Sequence, residues 1–378
     1  MAEDLLKGWT GPVIVAPGDA PLIDSSIYAG LLETHGASGA ACTVLTAEVP
    51  DATGFGRLVR NAAGEPTKIV EHKDATPDEL QIREVNTAVY CFDGPTLFRL
   101  LPLLRNDNRQ GEYYLTDLIA AISNEGLKVS ALVTDDSGAL VGVNDRWQLA
   151  QADAELTKRI LKKHALNGVT LIGYESVRIE PDVELESDCV LEGPVQLCGK
   201  TRIGARSKIG PGTRISDSTV GQDTTVLSSF IDRSKIGNDV WIGPFANIRP
   251  FSEIGDHCKI GNFVETKNSR LERDVKVSHL SYVGDAAIGE NTNVGAGTIT
   301  VNYDGFGKFR TTIGANAFVG SNSTLIAPLN IGDGAFVVAG SVVTDDVPSD
   351  AGVFGRARQV TKEAWALEFR RRKQSNNP

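Results

Sequence analysis

The sequence predicts an α/β region followed by a parallel β-helix. Three observations point there. Apolar runs alternate with helix-like segments over residues 12–142. An aliphatic residue recurs every six positions through the second half. Glycine is abundant, at 39 of 378 residues, while aromatics reach only 6%; in a long chain that combination calls for a search for repeats.

In the first region the β runs are Val13-Ile14-Val15, Ala41-Cys42-Thr43-Val44-Leu45 and Ala88-Val89-Tyr90-Cys91-Phe92. Helix-like segments lie around 25–34 and 113–124, which gives an α/β pattern. Residues 145–166 have helical periodicity and contain no Gly or Pro, so they read as a connecting helix. Residues 361–373 read as a short C-terminal helix with Thr361 as its N-cap. Its Arg370, Arg371, Arg372 and Lys373 read as a solvated helix end. The expected divisions are 1–145, a helical linker 146–167, a β-helix 168–360 and a helix with tail 361–378.

The repeat is read by stepping in sixes. One run is Ile179, Leu185, Leu191, Leu197, Ile203, Ile209 and Ile215. A second is Ile236, Ile242, Ile248, Ile254 and Ile260. A third is Ile313, Val319, Leu325, Ile331, Val337 and Val343. All are aliphatic, against roughly a quarter in an average chain. Each hexad is one short strand plus a corner. Its aliphatic residue points inward, and Gly often follows it, because Gly turns corners without strain. A helix is excluded, since six is not a multiple of 3.6. The period breaks between Ile215 and Ile236, between Ile260 and Ile288, and between Val294 and Ile313. The expectation is that each break is an insertion looping out on one face. The second holds His279 and Tyr282; the third holds Asn302, Tyr303 and Lys308.

A net charge of −10 argues against wholesale nucleic-acid binding, which needs a basic footprint. No apolar stretch of about 18 residues is present to span a membrane. The first twenty residues lack a signal-peptide layout. The five cysteines form no CxxC pair and read as reduced, mostly buried residues of a cytoplasmic protein.

Several motifs occur in order: Pro17-Gly18-Asp19-Ala20-Pro21-Leu22, Gly54-Phe55-Gly56-Arg57, Ile69-Val70-Glu71-His72-Lys73-Asp74, Glu84-Val85-Asn86-Thr87, Gly111-Glu112-Tyr113-Tyr114 and Gly142-Val143-Asn144-Asp145-Arg146. With the hexapeptide region after them, the sequence resembles the bacterial bifunctional UDP-N-acetylglucosamine pyrophosphorylase / glucosamine-1-phosphate N-acetyltransferase family. The resemblance runs from about residue 12 to about residue 365. It implies a partial Rossmann-like nucleotidyltransferase domain followed by a left-handed β-helix, assembled as a homotrimer. The family begins with a Gly-rich LxAGxGTRM loop, and only about sixteen residues precede Gly18 here. The one GxGT, Gly295-Ala296-Gly297-Thr298, lies inside the repeats. Uridylyl transfer by these 378 residues is therefore expected to be impaired.

Acetyl transfer from a thioester to an amine needs a base, a phosphate cage, an oxyanion donor and a coenzyme A groove. An imidazole, with an unperturbed pKa of about 6.5, suits the base; His279 matches the family's. Arg249 and Lys267 match its phosphate-binding cations, and Tyr282 and Asn293 its substrate hydrogen-bonding positions. Ala296, Asn302, Tyr303, Ser321, Ala339 and Arg356 match acetyl-coenzyme A contacts. Lys308 matches a residue reaching a neighbouring subunit's site. In the first region Asp19 and Asn144 match magnesium ligands. Gly56, Glu71, Asn86 and Asn144 match UDP-sugar contacts. A β-helix carbonic anhydrase would need three zinc-binding imidazoles, and the repeats hold only His257 and His279. A third reading keeps both ligand sites without turnover; an intact His279 and a full coenzyme A set weigh against it.

Overall fold

The computed structural model describes residues 5–6, 8–106, 111–136, 138 and 141–375. The chain divides into two compact units, Met1–Leu156 and Thr157–Pro378.

The first unit contains β1 (Pro12–Val15), α1 (Ser25–Ser38), β2 (Cys42–Glu48), β3 (Arg57–Arg60), β4 (Pro66–Val70), β5 (Glu84–Asp93), α2 (Gly94–Leu100), α3 (Asp117–Asn124) and β6 (Val129–Val133). The sheet order is β4-β3-β5-β2-β6, with β1 also on β5. It is a mixed sheet: β2 and β6 are parallel, while β1, β2 and β3 run antiparallel to β5. The Val44, Tyr90, Phe92, Leu118, Ile119 and Ile122 side chains form its main core. Asp24 caps α1 by accepting from the Ser26 N–H at 2.8 Å, and Gly39 ends it at φ 62°. The α3 helix is shorter than expected. It starts at Asp117, which leaves Tyr113 and Tyr114 in the preceding loop.

The helix Arg146–Leu166 forms as the periodicity predicts. The C-terminal helix is Trp365–Ser375, so Thr361 does not cap it. Ala364 at φ 58° interrupts the path just before Trp365, so the helix starts four residues later than expected. Among the described residues no helix is long and apolar enough to cross a membrane. All five cysteines are free, and four are buried.

The second unit is a parallel β-solenoid of three sheets, with 11, 10 and 9 strands. Every residue of the three six-step runs is buried in one continuous core except Leu185, which packs against it half-buried. Burying each such side chain contributes about 1.5–3 kcal/mol. The coils therefore stack because each aliphatic finds its counterpart directly above. Ile242, Ile260, Val277, Val294, Val319 and Val337 are one such ladder.

Two of the three breaks correct the expectation of insertions. Val220, Val226 and Ile231 sit in the ladders between Ile215 and Ile236. Thr266, Leu271, Val277 and Val283 do so between Ile260 and Ile288. Some corners there have lost a residue. The turn is tightened by a positive-φ residue two places after the inward side chain: Asp217, Ser228, Arg233, Asn268 and Asp285. In four of these corners a buried serine follows and donates to the carbonyl two residues back. They are Ser218, Ser229, Ser234 and Ser269, at 2.6–2.9 Å. The third break is a true insertion. Residues 302–310 leave the solenoid as a small hairpin in which Tyr303 pairs with Lys308. Asp304 holds its tip by accepting from the Phe306 and Gly307 N–H groups at 2.8 Å each.

Candidate active site

His279 does not lie on a loop. It ends the strand Lys276–His279, directly before a turn made by Leu280 at φ 48° and Ser281. Ser281 Oγ donates to the His279 carbonyl at 2.8 Å and fixes that turn. The imidazole is exposed, and its Nδ1 donates to Asn262 Oδ1 at 2.8 Å.

The register aligns the expected residues. Counting two places from each inward aliphatic of the first sheet gives Asn262 after Ile260, His279 after Val277, Ala296 after Val294, Ser321 after Val319 and Ala339 after Val337. These five residues form one column up a single corner. Gly295 and Gly320 inside it keep the coils close: a Cβ would lie 2.5 Å from the Ser321 N and 2.4 Å from the Ala339 N. Arg356 follows Val353, the next rung above Val337, and is exposed. Asn293 sits on the outward face of the same sheet, in register with Phe318 and Phe336.

On the second sheet the outward residues Asn247, Glu265, Tyr282 and Ile299 stack in register. Arg249 Nη1 donates to Glu265 Oε1 at 2.7 Å. That bond raises the guanidinium pKa further. The Tyr282 ring lies over Gly284, where a Cβ would meet its hydroxyl at 2.4 Å. Gly284 in turn is in register with Lys267. Lys308 reaches back from the hairpin to Lys267, and the close approach of its ammonium group pulls the Lys267 pKa down. Lys308 thus lies beside Lys267 of its own chain. Asp285 anchors the hairpin: it accepts from Asn302 Nδ2 and from Asn268 Nδ2, and lies near both lysines. Two like-charged ammonium groups held together beside Arg249 make a place for a dianion.

Asn262, Glu265 and Asp285 were not singled out by sequence. The signal for Asn262 was present, because it occupies the same place as His279 one coil earlier. Glu265 and Asp285 carry no such signal, since neither repeats the residue type of its neighbours in the adjacent coils.

In the first unit, Gly56, Glu71 and Asn86 converge. A Cβ on Gly56 would lie 3.3 Å from Glu71 Oε1, and the Asn86 N–H donates to the Gly56 carbonyl at 2.9 Å. Glu71 also lines a cavity of about 460 Å³ with Asp74, Arg105, Tyr114, Thr116 and Asp117. Burial raises the carboxyl pKa of Glu71 and of Asp117. The Val143 N–H donates to the Asp19 carbonyl at 2.8 Å, which ties the backbone next to Asn144 to that of Asp19. Among the described residues no group of three metal-ligating side chains occurs.

Residues 233–268 match the model of bacterial transferase hexapeptide (six repeats), and residues 310–345 that of the hexapeptide repeat of succinyl-transferase. The solenoid is a hexapeptide-repeat left-handed β-helix. The chain is 48% identical to the bifunctional protein GlmU of Shouchella clausii over 364 residues, covering 96% of this chain and 80% of that one. It is 50% identical to GlmU of Streptococcus pyogenes serotype M3 over 97% of this chain and 80% of that one. To GlmU of Geobacillus thermodenitrificans it is 48% identical, over 98% and 81% respectively. With this identity sustained through both units, the chain belongs to the bifunctional GlmU family.

Proposed function

We propose that the solenoid corner transfers an acetyl group from acetyl-coenzyme A to the amine of glucosamine 1-phosphate, towards UDP-N-acetylglucosamine. The observation that carries this is the juxtaposition of His279, with Nδ1 occupied and Nε2 left as the basic nitrogen, and the cations Arg249, Lys267 and Lys308. The cations hold the substrate phosphate, and Tyr282 and Asn293 orient the sugar. Nε2 takes the amine proton as the nitrogen attacks the thioester; the tetrahedral intermediate then collapses to the amide, the C–S bond breaks, and coenzyme A leaves as the thiol with that proton. Ala296, Ser321 and Ala339 continue the His279 column and form one wall of the coenzyme A groove, with Arg356 at its end and Asn302-Tyr303 on the hairpin. A backbone N–H of that wall holds the oxyanion.

In the first unit, Gly56, Glu71, Asn86 and Asn144 form a UDP-sugar site. Asp19 and Asn144 fit magnesium, a hard cation that takes one or two protein oxygens and completes its shell with water and substrate phosphates. The magnesium would neutralise nucleotide phosphate charge there. The enzyme works in the cytoplasm as a homotrimer on small-molecule substrates, without nucleic acid. Support for the trimer comes from the exposed apolar column Phe245, Phe263 and Leu280, in which the two rings stack at 5.4 Å.

One experiment tests activity and assembly together. Thiol release from acetyl-coenzyme A is followed across a sedimentation gradient. The expected result is release that requires glucosamine 1-phosphate, in a species of three times 40.4 kDa. Absence of such release overturns the reaction; full activity in a 40.4 kDa monomer overturns the trimer.

A further inference from the structure

We propose that Asn262 is a positioning residue for the acetyl-transfer base, and that its being an amide rather than a carboxylate sets the pH range of the enzyme. This rests on the reading of His279 as that base.

The geometry comes from the solenoid. Asn262 and His279 are direct register partners on adjacent parallel strands. The Leu280 N–H donates to the Asn262 carbonyl at 3.0 Å, so the backbones on either side of the contact are tied. The side chains then meet at 2.8 Å between Oδ1 and Nδ1. A carbonyl oxygen can only accept, so the proton stays on Nδ1 and the lone pair on Nε2. Without the amide the ring would rotate and exchange tautomers.

The charge of the partner matters as much as its place. A carboxylate beside an imidazole favours the imidazolium, which cannot take a proton from the amine. The solenoid does place an imidazole against a carboxylate in another corner, where His257 Nδ1 lies 2.9 Å from Asp239 Oδ2. At His279 the strand below supplies Asn262 and, farther along, Lys259. Its own strand carries Lys276, and the strand above carries Asn293 followed by Ala296. Glu265 and Tyr282 lie beyond the Leu280-Ser281 turn, and Glu265 is engaged by Arg249. The group hydrogen-bonded to the ring is therefore neutral.

The test compares Asn262→Asp, Asn262→Ala and His279→Ala in the full chain. Asn262→Asp keeps the acceptor and adds a charge. The acid limb of its kcat/KM profile is expected to move up by about one pH unit, with kcat at high pH within about threefold of the parent. Asn262→Ala is expected to lower kcat about tenfold or more while KM for glucosamine 1-phosphate changes less than about twofold. Histidine ¹⁵N shifts, read without turnover, are expected to show His279 as the Nδ1–H tautomer in the parent and a mixture in Asn262→Ala. An unmoved acid limb in Asn262→Asp, or an unchanged tautomer in Asn262→Ala, overturns the proposal. If His279→Ala is inactive in that case, the base assignment survives and only Asn262 falls. If His279→Ala is active, both fall.

Discussion

His279→Ala is expected to lower kcat by about 10²–10⁴-fold and to leave KM for glucosamine 1-phosphate nearly unchanged. The imidazole sits at the exposed end of its strand and takes no part in the buried core. Its removal therefore costs little stability. What is lost is proton transfer as the amine attacks, about 3–5 kcal/mol of barrier. Arg249→Ala is the contrasting variant. It leaves the base in place and removes a charge-assisted donor from the phosphate, so KM rises and kcat falls less. Steady-state kinetics on the two variants separate the roles. Near-parental kcat in His279→Ala would remove His279 from the mechanism.

Gly261→Ala is expected to destabilise the solenoid by about 3 kcal/mol or more, through overpacking between coils. A Cβ at residue 261 would lie 1.8 Å from the Ser278 carbonyl oxygen. That atom is backbone and cannot rotate away. The two coils must separate, and parallel strands have a fixed spacing of about 4.8 Å to lose. For a unit of this size the thermal midpoint is expected to fall by roughly 6–12 °C. The same separation pulls Asn262 from His279, because Gly261 and Ser278 immediately precede them. Activity measured well below the midpoint should therefore fall as well. A variant with unchanged melting and unchanged kcat would show that this close approach does not hold the site.

The solenoid was legible because its constraint is one-dimensional. Each coil must place an aliphatic over the one below, and Ile236, Ile242, Ile248, Ile254 and Ile260 print that rule directly. What the period concealed was the sign of its breaks. A corner shortened by one residue and a corner with a loop both disturb a count of six. What distinguishes them is a backbone torsion: in a shortened corner the positive-φ residue stands two places after the inward side chain, as Asn268 does after Thr266, and in a full corner three places after, as Leu280 does after Val277. Most of the active site was named by family resemblance, but its arrangement came from register. His279, Ala296, Ser321 and Ala339 are spaced 17, 25 and 18 residues apart, and only the 302–310 hairpin makes the second of those spacings a single coil. The contact between Lys308 and Lys267 was hidden for a related reason. A hairpin's direction depends on its closing contacts, here Asn302 on Asp285, which no local pattern encodes. The first unit was less legible at its helix ends, because Tyr113 and Tyr114 continue the helical pattern while Tyr113 stays exposed and Tyr114 turns into the cavity beside Glu71.

The central claim is that one solenoid corner carries the base and that the adjacent cations carry the phosphate. A crystal structure of the chain with glucosamine 1-phosphate bound measures this directly. The account predicts phosphate oxygens on Arg249, Lys267 and Lys308, with the sugar amine within hydrogen-bond reach of His279 Nε2. A sugar phosphate held away from these cations, or an amine facing a group other than His279, would contradict it.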